Sequence, residues 1–196
     1  MSTLTYLTRQ DVRGLLPDWR TQIDLVEQTY VDVAAGDVEL PPKPGLHPRQ
    51  DAFLHAMPAW LKRTDAAGMK WVSGYPTNKA LGVPYINGLL VLNDAATGVP
   101  LSVMDCVEIT AARTAAASGV CVRSWARQGW QRIAIIGCGE QGNYHSRMLL
   151  ELNPSAHIVG FDVDPQRAAS LHGVAEVASA ARDACVNADI IITTGP

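Results

Sequence analysis

The sequence predicts an α/β protein built from two unlike halves. Between residues 131 and 193, short apolar runs alternate with helical segments, a pattern typical of a parallel sheet whose strands are joined by right-handed crossover helices. Up to about residue 126, helical and strand patterns are mixed with turn residues. A GxGxxG motif occupies residues 137–142, at the first strand-to-helix junction of the second half. We therefore expect a mixed α+β domain over 1–126, followed by a parallel-sheet domain over 127–196.

Periodicity and turn residues define the elements of the first half. A short helix is predicted over residues 11–16 and a second over 19–35, where apolar residues recur at three- and four-residue spacing before Gly36. Three prolines between 41 and 44 force an extended connection. The strands that follow are predicted at 53–57, 68–72, 86–92 and 101–104. A helix with a hydroxyl residue as its N-cap is predicted over 110–125.

The second half is a strict alternation of strands and helices. A continuous apolar run such as 133–136 is typical of a strand buried on both faces. Helices are predicted up to residue 152, through 167–171, and before the last strand. The further strands are predicted at 157–162, 175–177 and 189–193.

Composition excludes several classes of protein. The chain of 196 residues is 47% hydrophobic and 18% charged, which fits a folded protein with a buried core. It holds no apolar run of the length that a membrane span needs. The net charge of -3 argues against a nucleic-acid binder. Residues 1–5 lack the pattern of a signal peptide, and four cysteines without CxxC spacing favour reduced thiols, so we expect a cytoplasmic protein without a metal site.

The glycine motif is the strongest local signal of function. Gly137 suits a tight turn, Gly139 leaves room for a pyrophosphate, and Gly142 allows close packing of helix on sheet. The helix N-terminus that follows supplies N–H groups to phosphates. Asp162 ends the next strand, where an acid takes the ribose hydroxyls of a dinucleotide. The alternative is a glycine-rich turn without a ligand.

The residues around Asp162 also indicate which dinucleotide binds. An NADP site needs a cation for the 2′-phosphate, whereas residues 161–164 hold two acids and neither arginine nor lysine. Repulsion between like charges opposes the extra phosphate. The sequence therefore favours NAD as cofactor.

Four basic side chains of the chain are candidates for substrate binding. Lys70 lies in an apolar strand and Arg113 among alanines, and cations are natural handles for a substrate carboxylate. Lys43 lies in the proline-rich connection, where a solvated surface lysine is the alternative. His55 is either a neutral core histidine or a proton donor facing a pocket.

A longer set of motifs resembles the ornithine cyclodeaminase/mu-crystallin family. The set comprises Met57-Pro58, residues 68–78, residues 94–98 with Pro100, residues 109–116, and the loop glycines with Gln141. The resemblance runs from about Tyr6 to Thr194 in the order of the family. It implies a substrate and dimerisation domain, a Rossmann domain that binds NAD(P), and a homodimer.

The resemblance also implies roles for individual residues. Lys70 and Arg113 match the cations that hold the substrate carboxylate, and Lys43 matches a third. Tyr85 lies where a hydroxyl meets the cofactor, and Asp162 matches the ribose acid. The remaining matches are Glu140 and Gln141 at the pyrophosphate and Thr193 and Thr194 at the cofactor's border.

Two departures from the family pattern bear on the activity. The cyclodeaminase proper has a glutamate two residues before its Met-Pro pair, and His55 occupies that position, which argues against a diamine substrate. The aspartate that the family uses in catalysis falls beyond Pro196, so we expect a truncated chain that holds only the first half of the Rossmann domain.

These observations predict an NAD-dependent oxidoreductase that exchanges hydride at the α-carbon of a small amino or imino acid. An alanine dehydrogenase or a ketimine reductase would fit this description. One alternative is a cyclodeaminase that releases ammonia and regenerates its NAD, and the other is a non-catalytic, mu-crystallin-like protein that binds a dinucleotide or a small ligand. Only a dehydrogenase accumulates NADH when its amino acid is present.

Overall fold

The computed structural model describes residues 3–195 and divides them into two compact units. The first unit runs up to Leu16 and continues over Gln28–Thr110, and the second comprises Pro17–Glu27 and the chain from Ala111 onward. Met1, Ser2 and Pro196 lie outside the described residues. The two expectations about the chain ends, which concern the signal-peptide pattern and the truncation after Pro196, therefore stay predictions.

The first unit is built on a mixed sheet. Its strands are β1 (Thr5–Leu7), β2 (Val38–Glu39), β3 (Gly45–Leu46), β4 (Phe53–Leu61), β5 (Ala66–Gly74), β6 (Ile86–Asp94) and β7 (Pro100–Asp105). They lie in the order β1-β7-β6-β5-β4-β2, with β3 also paired to β4. The pairing of β1 with β7 is parallel, and the other pairings are antiparallel.

Of the longer helices in the first part of the chain, one belongs to a single unit and two run from one unit into the other. The helical segments are α1 (Arg9–Leu15), α2 (Trp19–Ala34), two 3-10 turns (Lys62–Thr64 and Pro76–Leu81) and α3 (Val107–Trp125). Helix α1 lies against β1 and β7. The chains of α2 and α3 each continue from one unit into the other, so the compact units differ from the expected division at residues 126 and 127.

A buried carboxylate ties α1 to the first turn of α3 within the first unit. Glu108 is fully buried, and its Oε1 accepts hydrogen bonds of 2.6 Å from Arg9 and Arg13. A buried charge is costly unless it is paired. The two arginines, both on α1, therefore hold that helix on the sheet beside the start of α3.

The two faces of the mixed sheet differ in their surroundings. Lys70 lies opposite Met57 and Leu90, on the face that also carries the buried Val72. The other face carries one apolar row across five strands, which the register aligns as Tyr6, Val103, Val91, Met69 and Pro58.

Several apolar side chains on this second face are exposed to solvent. Tyr6 is 63% exposed and Met69 38%, and the neighbouring Leu89 and Leu101 are 41% and 42% exposed. We call this surface the open sheet face and define it by Tyr6, Pro58, Met69, Leu89, Val91 and Val103.

The second unit is a parallel sheet, as the alternating pattern predicts. Its strands are β8 (Arg132–Ile136), β9 (His157–Phe161), β10 (Val174–Val177) and β11 (Ile190–Thr193), and its further helices are α4 (Glu140–Leu152), α5 (Pro165–Ala169) and α6 (Ala181–Cys185). The strand order is β10-β9-β8-β11, with every pair parallel. The order reverses between β8 and β11, which is where doubly wound sheets bind ligands.

Both faces of this sheet are covered, and its core is split accordingly. Ile133, Ile135 and Ile158 belong to a large cluster that also holds Ile23 of α2 and residues of α3 and α4. On the opposite face, Ala134 and Val159 pack with Ala184 of α6 in a smaller cluster. The apolar run at 133–136 is thus a strand buried on both faces, as expected.

The expected N-cap of the alanine-rich helix is wrong. Helix α3 begins at Val107 rather than Thr110, and the Val107 N–H donates to Oδ1 of Asp105 over 2.8 Å. Thr110 lies inside the helix, where its N–H donates to the carbonyl of Cys106. A carboxylate, not a hydroxyl, therefore accepts from the first N–H group of this helix. Helix α5 is also shorter than expected and ends at Ala169.

None of the helices between residues 3 and 195 is both long enough and apolar enough to cross a membrane.

Candidate functional site

The three motif glycines of the second unit each meet a different steric demand. Gly137 has a φ of +95°, and a Cβ there would lie 2.5 Å from the backbone nitrogen of Gly195. A Cβ on Gly142 would lie 2.3 Å from the carbonyl oxygen of Gly137. A Cβ on Gly139 would meet nothing within 4 Å. Gly137 thus permits the turn and Gly142 permits the close packing of the helix. Gly139 faces open space.

The glycine loop leads directly into a helix N-terminus that no side chain caps. Gly139 is the N-cap residue of α4, and Glu140 and Gln141 form the start of its first turn. The amide groups of a first helical turn carry partial positive charge and lack partners within the helix. This end of α4 is therefore arranged to bind an anion such as a phosphate.

Asp162 lies beside the loop, at the end of β9. Its Oδ2 accepts a hydrogen bond of 2.7 Å from the Cys138 N–H, and its Oδ1 accepts one of 2.9 Å from the Asp164 N–H. Asp164 in turn caps α5 by accepting from the Gln166 N–H. The expected ribose acid therefore also holds the glycine loop in place from the side.

Thr194 closes the loop from the neighbouring strand. Its N–H donates to the Ile136 carbonyl over 2.8 Å and its hydroxyl to the Gly137 carbonyl over 2.5 Å. The end of β11 is thus tied to the end of β8 at the point where the strand order reverses.

A cavity of about 380 Å³ opens next to this junction, within the second unit. Its lining residues are Thr114, Ser118, Gln141, His145, and residues 191–194. The side-chain oxygen Oε1 of Gln141 is buried and lacks a hydrogen-bond partner. A buried acceptor without a partner is costly, so a ligand that offers an N–H or O–H group would stabilise this site.

One residue that lines the cavity is a buried histidine, His145. His145 Nδ1 lies 2.7 Å from the Gln141 carbonyl, which only accepts, so Nδ1 carries the proton. Its Nε2 lies 2.9 Å from the Ser118 hydroxyl and accepts from it. Burial lowers the pKa of His145, and the hydrogen bond to Gln141 opposes this only in part. The neutral imidazole therefore joins α3 to α4 as a structural link.

Cys138 in the loop fills space rather than acting as a nucleophile. The residue is buried, and burial together with the charge of Asp162 raises the pKa of its thiol to about 11. A protonated thiol is a weak nucleophile.

The first unit carries a second candidate site around Lys70. The Lys70 Nζ donates to the hydroxyl of Thr110 over 3.4 Å. Cys106, fully buried beside them, has a pKa raised by burial, while Thr110 and Lys70 act in the opposite direction. Gly88 leaves the space that the Cys106 sulfur occupies, since a Cβ there would lie 2.9 Å from it. Lys70 is thus half-buried beside the Thr110 hydroxyl and the Cys106 thiol, and its role in substrate binding stays a prediction.

His55 and Lys43 form a separate group of the first unit. The imidazole of His55 stacks on Phe53 with ring centroids 4.4 Å apart and meets the edge of His47 at 6.1 Å. Its pKa is lowered by burial first, and then by the positive charges of Lys43 and His47. The structure thus brings Lys43 and His55 together.

The other predicted site residues are distributed over both units. Tyr85 is 49% exposed, directly before β6 in the first unit. Arg113 is exposed on α3 in the second unit, between the buried Ala112 and the half-buried Thr114. Thr193 is exposed at the end of β11 and lines the cavity.

The site predicted from the sequence does not include three of the residues that line the cavity, Thr114, Ser118 and His145. Thr114 and Ser118 lie four residues apart and hence on one face of α3. His145 follows Gln141 by the same spacing on α4. That shared spacing is a signal, but it indicates a site only once the two helices are known to face each other. Within residues 3–195, no three His, Cys, Asp or Glu side chains are grouped so as to hold a metal ion.

Comparison with known proteins gives one family and relatives with named activities. The model of the ornithine cyclodeaminase/mu-crystallin family matches residues 5–196. The nodulation efficiency protein NfeD of Rhizobium meliloti is 44% identical over 169 residues, which are 85% of this chain and 53% of that protein. The alanine dehydrogenase of Archaeoglobus fulgidus is 32% identical over 202 residues, which are 100% of this chain and 61% of that protein.

Solved structures agree with this fold. The Δ1-pyrroline-2-carboxylate reductase of Thermococcus litoralis, in complex with NADH and L-proline, matches with a TM-score of 0.91 and 29% identity, over 97% of this chain and 61% of its own. An archaeal alanine dehydrogenase dimer with bound NAD matches with a TM-score of 0.89 and 30% identity, over 98% of this chain and 61% of its own. The chain thus spans between half and two thirds of the length of these relatives.

The glycine contacts predict different effects on stability for two similar substitutions. Gly142→Ala lies in a helix, where alanine is ordinarily favoured by ~0.5–1 kcal/mol. Because its Cβ would collide with the Gly137 backbone, we instead expect a loss of about 1–3 kcal/mol in the free energy of unfolding. Gly139→Ala, with open space around its Cβ, is the control and should change that free energy by less than ~0.5 kcal/mol. Urea denaturation measures both, and equal stability of the two variants would contradict the packing role of Gly142.

Proposed function

Because this chain belongs to the ornithine cyclodeaminase/mu-crystallin family, we propose that it binds NAD and exchanges hydride at the α-carbon of a small amino or imino acid. Relatives over most of the chain include an alanine dehydrogenase and a pyrroline-2-carboxylate reductase that was solved with NADH. These support an oxidoreductase, and the substrate, the activity of the whole protein and its partners are parts of the proposal.

The observation that carries the NAD site is the glycine loop with its open central glycine. Gly139 leaves space for a pyrophosphate against the backbone, and the first turn of α4 lacks a side-chain cap. We assign Glu140 and Gln141 to the pyrophosphate end of this site. Thr193 and Thr194, at the end of β11, border the cofactor where the strand order reverses.

Asp162 supports NAD rather than NADP. Its carboxylate lies beside the loop, held by two backbone N–H groups, and accepts the ribose hydroxyls of the cofactor. A 2′-phosphate would meet the negative charges of Asp162 and Asp164 at short range.

Lys70 and Arg113 are proposed to hold the substrate carboxylate. Lys70 is half-buried beside Thr110, so its charge acts in surroundings of lower dielectric than water. The family resemblance assigns the hydroxyl of Tyr85 to the cofactor. Bound NAD supplies the acceptor for the α-hydrogen, and the cations orient the substrate so that this hydrogen faces the nicotinamide. His55 is the candidate within this chain for moving a proton, because its lowered pKa keeps the imidazole neutral near pH 7.

The open sheet face supports a homodimer. Its apolar row crosses five strands, with Tyr6 and Met69 exposed and the other members half-buried, and contiguous apolar patches of this kind mark interaction surfaces. One structural relative is an alanine dehydrogenase dimer. We propose that two copies of this chain pack their open sheet faces together, which removes the apolar side chains of both from water.

The cofactor preference is the first test of this function. We expect NAD to bind at least about tenfold more tightly than NADP, a difference in binding free energy of about 1.4 kcal/mol, because like charges repel the 2′-phosphate. Asp162→Asn should lower the ratio of the two dissociation constants to within a few fold, with Glu151→Gln on the exposed end of α4 as the control. Titration by intrinsic fluorescence measures both, and NADP binding as tight as NAD in the unchanged protein would refute the assignment of Asp162.

Turnover tests the substrate site. With NAD and an α-amino acid, or NADH and a cyclic imino acid, we expect a change in NADH absorbance. Lys70→Ala and Arg113→Ala should each lower kcat/KM by roughly tenfold to a hundredfold, the effect of one charge-assisted contact of about 1.5–3 kcal/mol. Lys79→Ala, on an exposed turn, is the control.

The same assay separates the alternatives. Ammonia release from a diamino acid without net NADH indicates a cyclodeaminase, and NAD binding without any turnover indicates a binding protein. Kinetics of Lys70→Ala equal to those of the unchanged protein would show that Lys70 does not hold the substrate.

The oligomeric state tests the open sheet face. Leu89→Glu places a charge within the apolar surface, and burying an unpaired carboxylate costs several kcal/mol. We expect the unchanged protein to be a dimer and the variant a monomer in size-exclusion chromatography with light scattering. Leu81→Glu, which alters an exposed leucine on a 3-10 turn, should remain a dimer. If the Leu89→Glu variant is still a dimer, the interface does not lie on the open sheet face.

A further inference from the structure

The hydroxyl of Thr110 meets the ammonium group of Lys70 near the start of α3. The Lys70 Nζ donates to this hydroxyl over 3.4 Å, and both residues are half-buried in the first unit. A hydroxyl can accept a hydrogen bond from an ammonium group and still donate its own proton to another group. Thr110, to which the function proposed above gives no task, can therefore hold Lys70 while being held itself.

Lys70 lies in a row of apolar side chains on its face of the sheet. It is paired with Met57 on β4 and with Leu90 on β6, and Leu90 is paired with Met104 on β7. A lysine carries its charge on a flexible four-carbon stem, and apolar neighbours pack on the stem without fixing the ammonium group. A polar contact from another element is needed to keep that group in one position.

Cys106 anchors the beginning of α3 on the same face of the sheet. The Cys106 N–H donates to the Gly88 carbonyl over 3.2 Å, and a Cβ on Gly88 would lie 2.9 Å from the Cys106 sulfur. Gly88 is paired with Val72 on β5. The fully buried Cys106 therefore packs on this pair of residues, where glycine leaves the room that its thiol occupies.

The helix then carries Thr110 from this anchor to Lys70. Thr110 follows Cys106 by four residues, ~6 Å along a helix axis, and its N–H donates to the Cys106 carbonyl over 2.8 Å. Lys70 lies two residues from Val72 on β5, ~6.6 Å along a strand. Because the two spacings match, a helix anchored at Cys106 presents Thr110 at the level of Lys70.

The thiol of Cys106 also orients the Thr110 hydroxyl. Burial raises the pKa of this thiol, and a hydrogen bond from Thr110 opposes the rise in part. The thiol is thus protonated near pH 7, and its sulfur is a weak acceptor for the hydroxyl proton. The three groups form a chain from the ammonium of Lys70 through Thr110 to Cys106, and each hydrogen bond in such a chain strengthens the next.

We propose that Thr110 is a positioning residue, which holds the ammonium group of Lys70 in the place where it binds the α-carboxylate of the substrate. This inference rests on the proposed function, in which Lys70 is the cation for that carboxylate. A lysine that is already held loses less side-chain freedom when the substrate binds. Thr110 therefore strengthens substrate binding through Lys70, without contacting the substrate.

The position of Lys70 can be measured without any turnover. The chain has four lysines, so NMR spectra of protein labelled with ¹³C at lysine Cε contain few signals, and the Lys70→Arg variant identifies that of Lys70. The two Hε protons of a lysine held in one conformation differ in chemical shift, and rotation averages the difference. We expect separate Hε signals for Lys70 in the unchanged protein and in Thr110→Ser, and one averaged signal in Thr110→Val.

The binding of a carboxylate is the second measurement. In titrations with butyrate in the presence of NAD, Thr110→Val should bind about threefold to tenfold more weakly than the unchanged protein, because the ligand must then immobilise Lys70 itself. Thr110→Ser keeps the hydroxyl and should bind within about twofold of the unchanged protein. Thr64→Val makes the same change at an exposed threonine of the first unit and should alter neither measurement.

The outcomes separate this inference from the proposed function. Valine has nearly the shape of threonine, and if Thr110→Val folds poorly, Thr110→Ala replaces it, since alanine is the best helix former. Separate Hε signals of Lys70 in the variant without the hydroxyl, or butyrate binding equal to that of the unchanged protein, overturn the role of Thr110. Butyrate binding that Lys70→Ala leaves unaffected refutes the α-carboxylate site of the proposed function instead.

Discussion

The arrangement of the second unit depends on the close approach of two backbones at Gly142 and Gly137. The first turn of α4 packs so near the end of β8 that a single methyl group at Gly142 would overlap the Gly137 carbonyl. This contact fixes where the N-terminus of α4 points, and therefore where its amide groups collect partial positive charge. Gln141, in the first turn of α4, and the cavity that it lines are positioned by this contact.

Side chains around the loop then hold this geometry by satisfying its polar groups. Asp162 accepts from Cys138 on one side, and Thr194 donates to Gly137 on the other. His145 links α3 to α4 as a neutral imidazole, which burial favours over the charged form. The Gln141 oxygen is the exception, a buried acceptor without a partner in the described chain. A site whose loop is held by hydrogen bonds from two sides and whose Gln141 oxygen lacks a partner is suited to a ligand with an N–H or O–H group.

The two units differ in the charge of their candidate site residues. Asp162 places a carboxylate beside the glycine loop of the second unit, whereas the first unit carries the basic side chains of Lys43 and Lys70. Lys70 and His55 share one face of an antiparallel sheet, and the pleat keeps both side chains on that face while the opposite face carries the apolar row. Alternation along the strands thus lets a single sheet carry both a polar site and an apolar surface.

The local sequence determined the glycine loop, the parallel strands and the position of Asp162 at the end of a strand. Turn geometry, apolar runs and strand ends all depend on neighbouring residues. The local sequence did not determine the start of α3, where the carboxylate of Asp105 accepts from the Val107 N–H three residues before the predicted start. Only the tertiary structure decided that Lys43 belongs with His55 and that Ser118 meets His145. These pairs are 12 and 27 residues apart, and strand register and helix packing, which bring them together, arise from the burial of whole faces rather than from any local pattern.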